Sequence, residues 1–114
     1  MKRIITDEQG EKIAWFDDSK AIRFSEERRF DGRNMISVAT NAQWEHEAVY
    51  RTAKGKWVLN KWSDWQGSPD HYHLISEQDA FRWIHLCSDD LSKIETLSEG
   101  LQRLYHQFVN LFEA

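Results

Sequence analysis

The feature that most limits what this chain can fold into is a change of hydrophobic period near its middle. Upstream of Trp62, apolar residues alternate and turn residues recur. Downstream of Ser76, they return at intervals of three and four. The stretch between, KWVLNKWSDWQGSPDHYHLISEQDAFRW (Lys56 to Trp83), starts as a tryptophan-rich strand and ends inside a helix. It also carries the sole proline, Pro69. A strand half followed by a helical half indicates an α+β domain. The expected fold is an antiparallel β-meander of five or six strands followed by two C-terminal helices packed on one sheet face. One domain of 114 residues is expected, with residues 1–62 as the sheet half, 63–75 as an aromatic loop and 76–114 as the helical half.

The strands follow from alternation and turn chemistry. Arg3–Thr6, Lys12–Phe16 and Ala21–Phe24 read as a three-stranded meander. Glu26–Phe30 reads as a charged edge strand, and charge on an edge discourages pairing with other chains. Asp31-Gly32 is the strongest hairpin signal and leads into Met35–Ala39. Glu45–Thr52 and Lys56–Trp62 form the clearest hairpin. With Lys54-Gly55 as its turn, Thr52 faces Trp57, Tyr50 faces Leu59 and Ala48 faces Lys61. One side of this ladder is then core and the other mostly wet.

Ser76 with Asp79 reads as a helix N-cap, and Ser88-Asp89-Asp90 divides the helical half. Ile94, Leu97, Leu101, Leu104, Phe108 and Leu111 then repeat as an a/d heptad pattern. Tyr105, Val109 and Phe112 widen the stripe beyond a narrow seam, as for a helix packed on a sheet. Leu101, Leu104, Phe108 and Leu111 are also the residues through which a second copy would dock.

Composition bounds the function classes. Hydrophobic content is 40% and charge 30%, a globular balance. Net charge is −4, but residues 1–62 carry +2 and residues 63–114 carry −6. An acidic total argues against a dedicated nucleic-acid binder. The lone Cys87 cannot bridge internally and reads as a buried structural thiol. The opening MKRIITDEQGEK is charged too early for a secretion signal, and no apolar run reaches membrane-spanning length. A cytoplasmic protein without membrane association is expected.

No motif specifies a reaction. Ser63, Ser68, Asp64 and His71 share a loop without nucleophile-elbow or phosphate-loop context, so no catalytic residue is assigned. His71 and His73 sit at i and i+2, with Asp64 and Asp70 nearby. These residue types ligate zinc, but the spacing is that of no zinc motif. Asp70, His71 and His73 remain weak metal candidates, and no cofactor is expected. Arg51, Lys54, Lys56 and Lys61 beside Trp62 and Trp65 suit single-stranded nucleic acid, which pairs cations with stacked rings. The leading reading is a non-enzymatic protein-binding module using Arg51, Lys61, Trp62, Asp64, Trp65 and Tyr72, because tryptophan, tyrosine and arginine dominate interface hot spots.

The residues Tyr50-Arg51-Thr52, Gly55–Leu59, Trp62-Ser63, Trp65–Ser68 and Ile75 through Ala80 to Trp83 resemble a run in small uncharacterised bacterial proteins. Some of these are borne on phages or plasmids. The resemblance covers the central third of the chain and carries no catalytic or binding residue. It implies an accessory protein of a mobile element, of antitoxin, immunity or anti-defence type.

Overall fold

In the computed structural model, which describes residues 1–114, the central hairpin forms where the alternation places it but in a different register. Strand β6 (Glu45–Arg51) pairs with β7 (Trp57–Ser63). The Thr52 amide donates to the Lys56 carbonyl (2.9 Å) and the Gly55 amide to the Thr52 carbonyl (2.9 Å), with Gly55 at φ +82°. The connection is therefore the three-residue loop Ala53–Gly55, with glycine supplying the left-handed residue that such loops need. The extra loop residue pairs Arg51 with Trp57, Tyr50 with Val58, Val49 with Leu59 and Ala48 with Asn60. A slip of one residue exchanges the faces of one strand relative to the other. Tyr50 thus lies beside Val58, not beside Leu59 and Trp57.

Both faces of the resulting sheet are covered. Its order is β3 (Ile22–Ser25), β6, β7, β8 (His71–Ile75), antiparallel throughout. On one face Phe24, Val49 and Trp57 meet Ala80, Phe81 and Ile84 of helix α1 (Glu77–Cys87) and Leu101 and Tyr105 of helix α2 (Glu99–Phe112). On the other, Tyr50, Val58 and Tyr72 meet Ile5 and Phe16. Those two belong to a separate hairpin, β1 (Lys2–Thr6) with β2 (Lys12–Asp17). The face expected to be wet is thus a second core, closed by Phe16 packing on Tyr50 at 5.2 Å and on Tyr72 at 5.6 Å between centroids. Aromatic pairs in this range add about 0.5–1.5 kcal/mol beyond the area they bury.

The α+β class and the two C-terminal helices are as read from the sequence. The strands number eight and are shared among three antiparallel sheets. The Asp31-Gly32 turn joins β4 (Arg28–Phe30) to β5 (Met35–Ser37), and the Asp31 carboxylate accepts the Arg33 and Asn34 amides, both at 2.8 Å. The aromatic loop contracts to residues 64–70, because β7 continues to Ser63 and His71–Ile75 pairs as β8.

Ser76 caps α1, its Oγ accepting the Asp79 amide at 3.1 Å. The heptad stripe is not one helix. Leu91–Thr96 forms a 3-10 turn, and Ser98 caps α2 by accepting the Leu101 amide at 3.3 Å. Ile94 and Leu97 enter the core from that turn, whereas α2 buries Leu101 and Tyr105 and packs Phe108 and Val109 against them. Leu104 and Leu111 point away from the core. No helix is long and apolar enough to cross a membrane.

These packing differences set mutational costs. Phe24 has no exposed surface, so Phe24→Ala is expected to lower unfolding free energy by about 3–5 kcal/mol. Leu111 is 87% exposed, and Leu111→Ala should change it by less than about 0.5 kcal/mol. Urea denaturation monitored by circular dichroism checks both.

Candidate functional site

The site begins with an acid that the strand pattern placed on an exposed edge. Glu26 follows β3 and precedes β4, and its side chain is buried. Its Oε1 accepts from Ser37 Oγ (2.7 Å) and the Glu47 amide (2.8 Å). Its Oε2 accepts from Arg28 Nε (3.0 Å) and His46 Nδ1 (2.7 Å). Four donors from three strands saturate the carboxylate, which is what a buried charge requires. Burial works to raise the carboxyl, but the Glu47, Ser37, His46 and Arg28 hydrogen bonds together outweigh it. The net effect holds Glu26 below its ordinary 4.5.

His46, also buried, extends this contact outward. Its Nε2 lies 2.7 Å from Oδ2 of Asp64, whose side chain is half exposed. A carboxylate oxygen thus lies within hydrogen-bonding distance of each ring nitrogen of His46. Glu26, Asp64, Arg28 and His46 then form one connected polar cluster. Trp62 packs beside the imidazole, centroids 5.4 Å apart and planes tilted by 32°, with the Arg23 guanidinium over the indole at 5.5 Å.

Asp64 opens the β7–β8 loop, so holding it holds the loop. Its amide donates to the Trp44 carbonyl at 2.9 Å, tying the entry of β6 to the exit of β7. Ser63 Oγ accepts the Trp65 amide at 3.2 Å. The indoles of Trp44 and Trp65 then lie together, centroids 5.6 Å apart and planes at 47°, yet remain 46% and 62% exposed. A recess of about 380 Å³ beside them is lined by Lys61, Trp62, Trp65, Pro69 and His71, among others.

The structure thus groups Lys61, Trp62, Asp64 and Trp65 at one end of the sheet. It removes Arg51 and Tyr72 from that group. The Arg51 guanidinium lies 4.8 Å over Trp57 and approaches Glu77 at 4.0 Å, joining sheet to helix α1. Tyr72 is core, under Phe16 and 5.7 Å from Arg3, and burial pushes its hydroxyl up to about 12. Its outward appearance in sequence came from treating 71–75 as loop.

The metal candidates separate as well. His71 and His73 do share a face of β8, rings parallel at 6.2 Å. However, His73 Nδ1 lies 3.1 Å from the Thr6 carbonyl, Asp70 faces the Tyr72 hydroxyl at 3.5 Å, and Asp64 is held by His46. No three histidine, cysteine or acidic side chains converge on a point that would hold an ion. Cys87 is half-buried, and burial, with the carboxylates of Glu47, Glu26 and Glu27, raises its thiol, which disfavours the thiolate.

Sequence reasoning missed Glu26, Ser37, His46 and Trp44. Only Trp44 left a signal there, as a large apolar residue alone between Gln43 and Glu45. Glu26 lies in a charged run, and its burial depends on residues 11 and 20 positions away.

Removing the Glu26 carboxylate strands His46, Ser37 and the Glu47 amide together. Glu26→Ala is expected to cost about 3–5 kcal/mol, the range for breaking a buried ion pair from one side. Because the folded-state value lies below the unfolded one, the ionised group's stabilisation is complete above the ordinary 4.5 and is lost as pH falls through the folded value. Asp17, held near 2, and Asp18, Asp31 and Asp90, also lowered, act with the same sign. Between about pH 6 and about pH 3, wild type should therefore lose more stability than Glu26→Gln. Urea midpoints at the two pH values measure the difference.

Compared with protein-family models, curated proteins and solved structures, the chain finds no match, so the geometry of the site carries the functional reading.

Proposed function

We propose that this chain is a small non-enzymatic protein-binding module whose contact surface is the Trp44–Trp65 pair with Lys61 and Trp62 at its rim. One observation carries the reading: two large indoles stay substantially exposed while their backbone is fastened through Asp64 and His46 to buried Glu26. An aromatic surface already ordered loses little conformational freedom on binding. Tryptophan is the residue most enriched where interface energy concentrates.

The charges around the pair favour a protein over a nucleic acid. Lys61 stands with Glu45 and Asp64 there. Lys54 and Lys56 belong to the opposite end of the hairpin, and Arg51 is spent on Trp57. The hairpin lysines are spread along roughly 17 Å of strand, and the cation over a ring here, Arg23 on Trp62, comes from β3. Nor does the polar cluster supply a nucleophile with its base. Ser37 is fully buried with its hydroxyl on Glu26, and both His46 nitrogens are engaged. The sequence resemblance supports an accessory protein of antitoxin, immunity or anti-defence type. The lone cysteine supports a reducing, cytoplasmic compartment.

The test uses wild type, Trp44→Ala, Trp65→Ala and Leu111→Ala as baits in quantitative pull-downs, with melting temperatures measured in parallel. A partner held by wild type and Leu111→Ala should bind each tryptophan variant at least about 30-fold more weakly, the loss of a hot-spot residue worth about 2 kcal/mol. The melting temperatures should stay close to wild type. Equal capture by all four would remove the tryptophan pair from the interface. Binding to single-stranded oligonucleotides with an affinity falling steeply with salt would favour the nucleic-acid alternative.

A homodimer through α2 is a second reading, favoured by the exposed Leu104, Leu111 and Phe112 on one helix. Sedimentation should then show a concentration-dependent dimer that Leu104→Glu with Leu111→Glu reduces to monomer. Unchanged sedimentation of that double variant would exclude this face.

A further inference from the structure

At the far end of the β6–β7 hairpin from the tryptophan pair, about seven strand residues or roughly 20 Å away, lies a different kind of surface. There the β1–β2 hairpin, the 52–56 turn and β8 enclose a cavity of about 520 Å³. Small-molecule sites occupy about 300–1,000 Å³. Its walls are apolar, formed by Ile5, Ala14, Trp15, Phe16, Ala53 and Leu74. Trp15 and Leu74 are 62% and 44% exposed, so apolar surface there is left in contact with water.

The charges around this cavity are one-sided. Lys20, Lys54 and Lys56 line it, and none of the three forms an ion pair. Asp17, its single acid, is engaged locally through Oδ1. It accepts from Ser19 Oγ at 2.6 Å, from the Ser19 amide at 3.0 Å and from the Met1 amino group at 3.0 Å. Three lysines against one carboxylate leave the lining with an excess of positive charge. An occupant that satisfied both features would put an apolar body against Trp15 and Leu74 and a negative head among the lysines.

We propose that this cavity binds a small amphipathic anion: an aromatic or short acyl body bearing a single carboxylate, sulfonate or phosphate head. A neutral apolar molecule would leave the lysines uncompensated. A hydrophilic anion would gain nothing from the walls. The site shares no residue with the tryptophan surface, so its occupancy stands apart from the protein-binding reading.

The full chain, isotopically labelled, would be titrated with naphthoate and with the neutral naphthalenemethanol while amide resonances are followed. Naphthoate should produce saturable shifts at Ala14, Trp15, Ala53 and Leu74, and should bind more tightly than the alcohol. Lys54→Gln with Lys56→Gln, at exposed turn positions, should weaken naphthoate about tenfold, as the loss of two screened charge contacts implies, and leave the alcohol unaffected. Leu74→Glu should abolish naphthoate binding while resonances of the helices stay in place, which shows that the variant is folded. Equal affinity for acid and alcohol, or naphthoate binding insensitive to both lysine replacements, would overturn the proposal. So would naphthoate shifts centred on Trp44 and Trp65, or a response to anionic phospholipid vesicles without one to free naphthoate.

Discussion

A carboxylate taken out of water must be given as many hydrogen bonds as it gives up, and Glu26 shows what that demand does to a small fold. Its four donors come from β4, β5 and β6. Beside it, the Ser25 carbonyl accepts from Ser88 Oγ at 2.8 Å, and the Ser25 amide donates to Asp90 at 2.7 Å. The end of β3, the β4–β5 hairpin, the start of β6 and the end of α1 therefore meet around two consecutive residues. Such a network adds little net stability, since desolvation offsets much of the attraction. It does penalise alternatives, because any shifted pairing strands a charge in a low-dielectric interior.

The same network explains how two tryptophans stay exposed without being loose. Fully burying them would need a third element over the ends of β6 and β7, and both covering layers lie elsewhere. The helices take the face with Phe24, Val49 and Trp57, and the N-terminal hairpin takes the face with Tyr50, Val58 and Tyr72. Trp44 and Trp65 sit past the strand ends, where they are restrained by each other, by the Asp64 amide on the Trp44 carbonyl, and by the Ser63 hydroxyl and Ser68 amide on the Trp65 backbone. A rigid scaffold presenting residues from connecting segments is the usual arrangement for recognition surfaces.

Individual residues show how much of this was legible. The Ser76 cap and the Asp31-Gly32 turn were readable because their partners lie two or three positions away. Thr52 to Lys56 was read as the right turn with the wrong length, and one added residue reassigned the faces of the longest ladder. Tyr72 looked like a loop residue because β8 is recognised only once β7 is beside it. Leu104 and Leu111 matched the stripe of Leu101, yet the break at Ser98 and the wider packing through Tyr105 and Val109 turned them outward.

Sequence alone determined the α+β class, the order of strands before helices, the Asp31-Gly32 turn and the Ser76 cap. Each of these depends on backbone preferences and side-chain periodicity within a few positions. Tertiary structure decided the ladder register, the second core under the β1–β2 hairpin, and the burial of Glu26 against His46 and of His46 against Asp64. The second core and the His46 contacts join residues distant in the chain, 20 and 18 positions apart for Glu26–His46 and His46–Asp64, and desolvation acts only once the chain has brought such residues together.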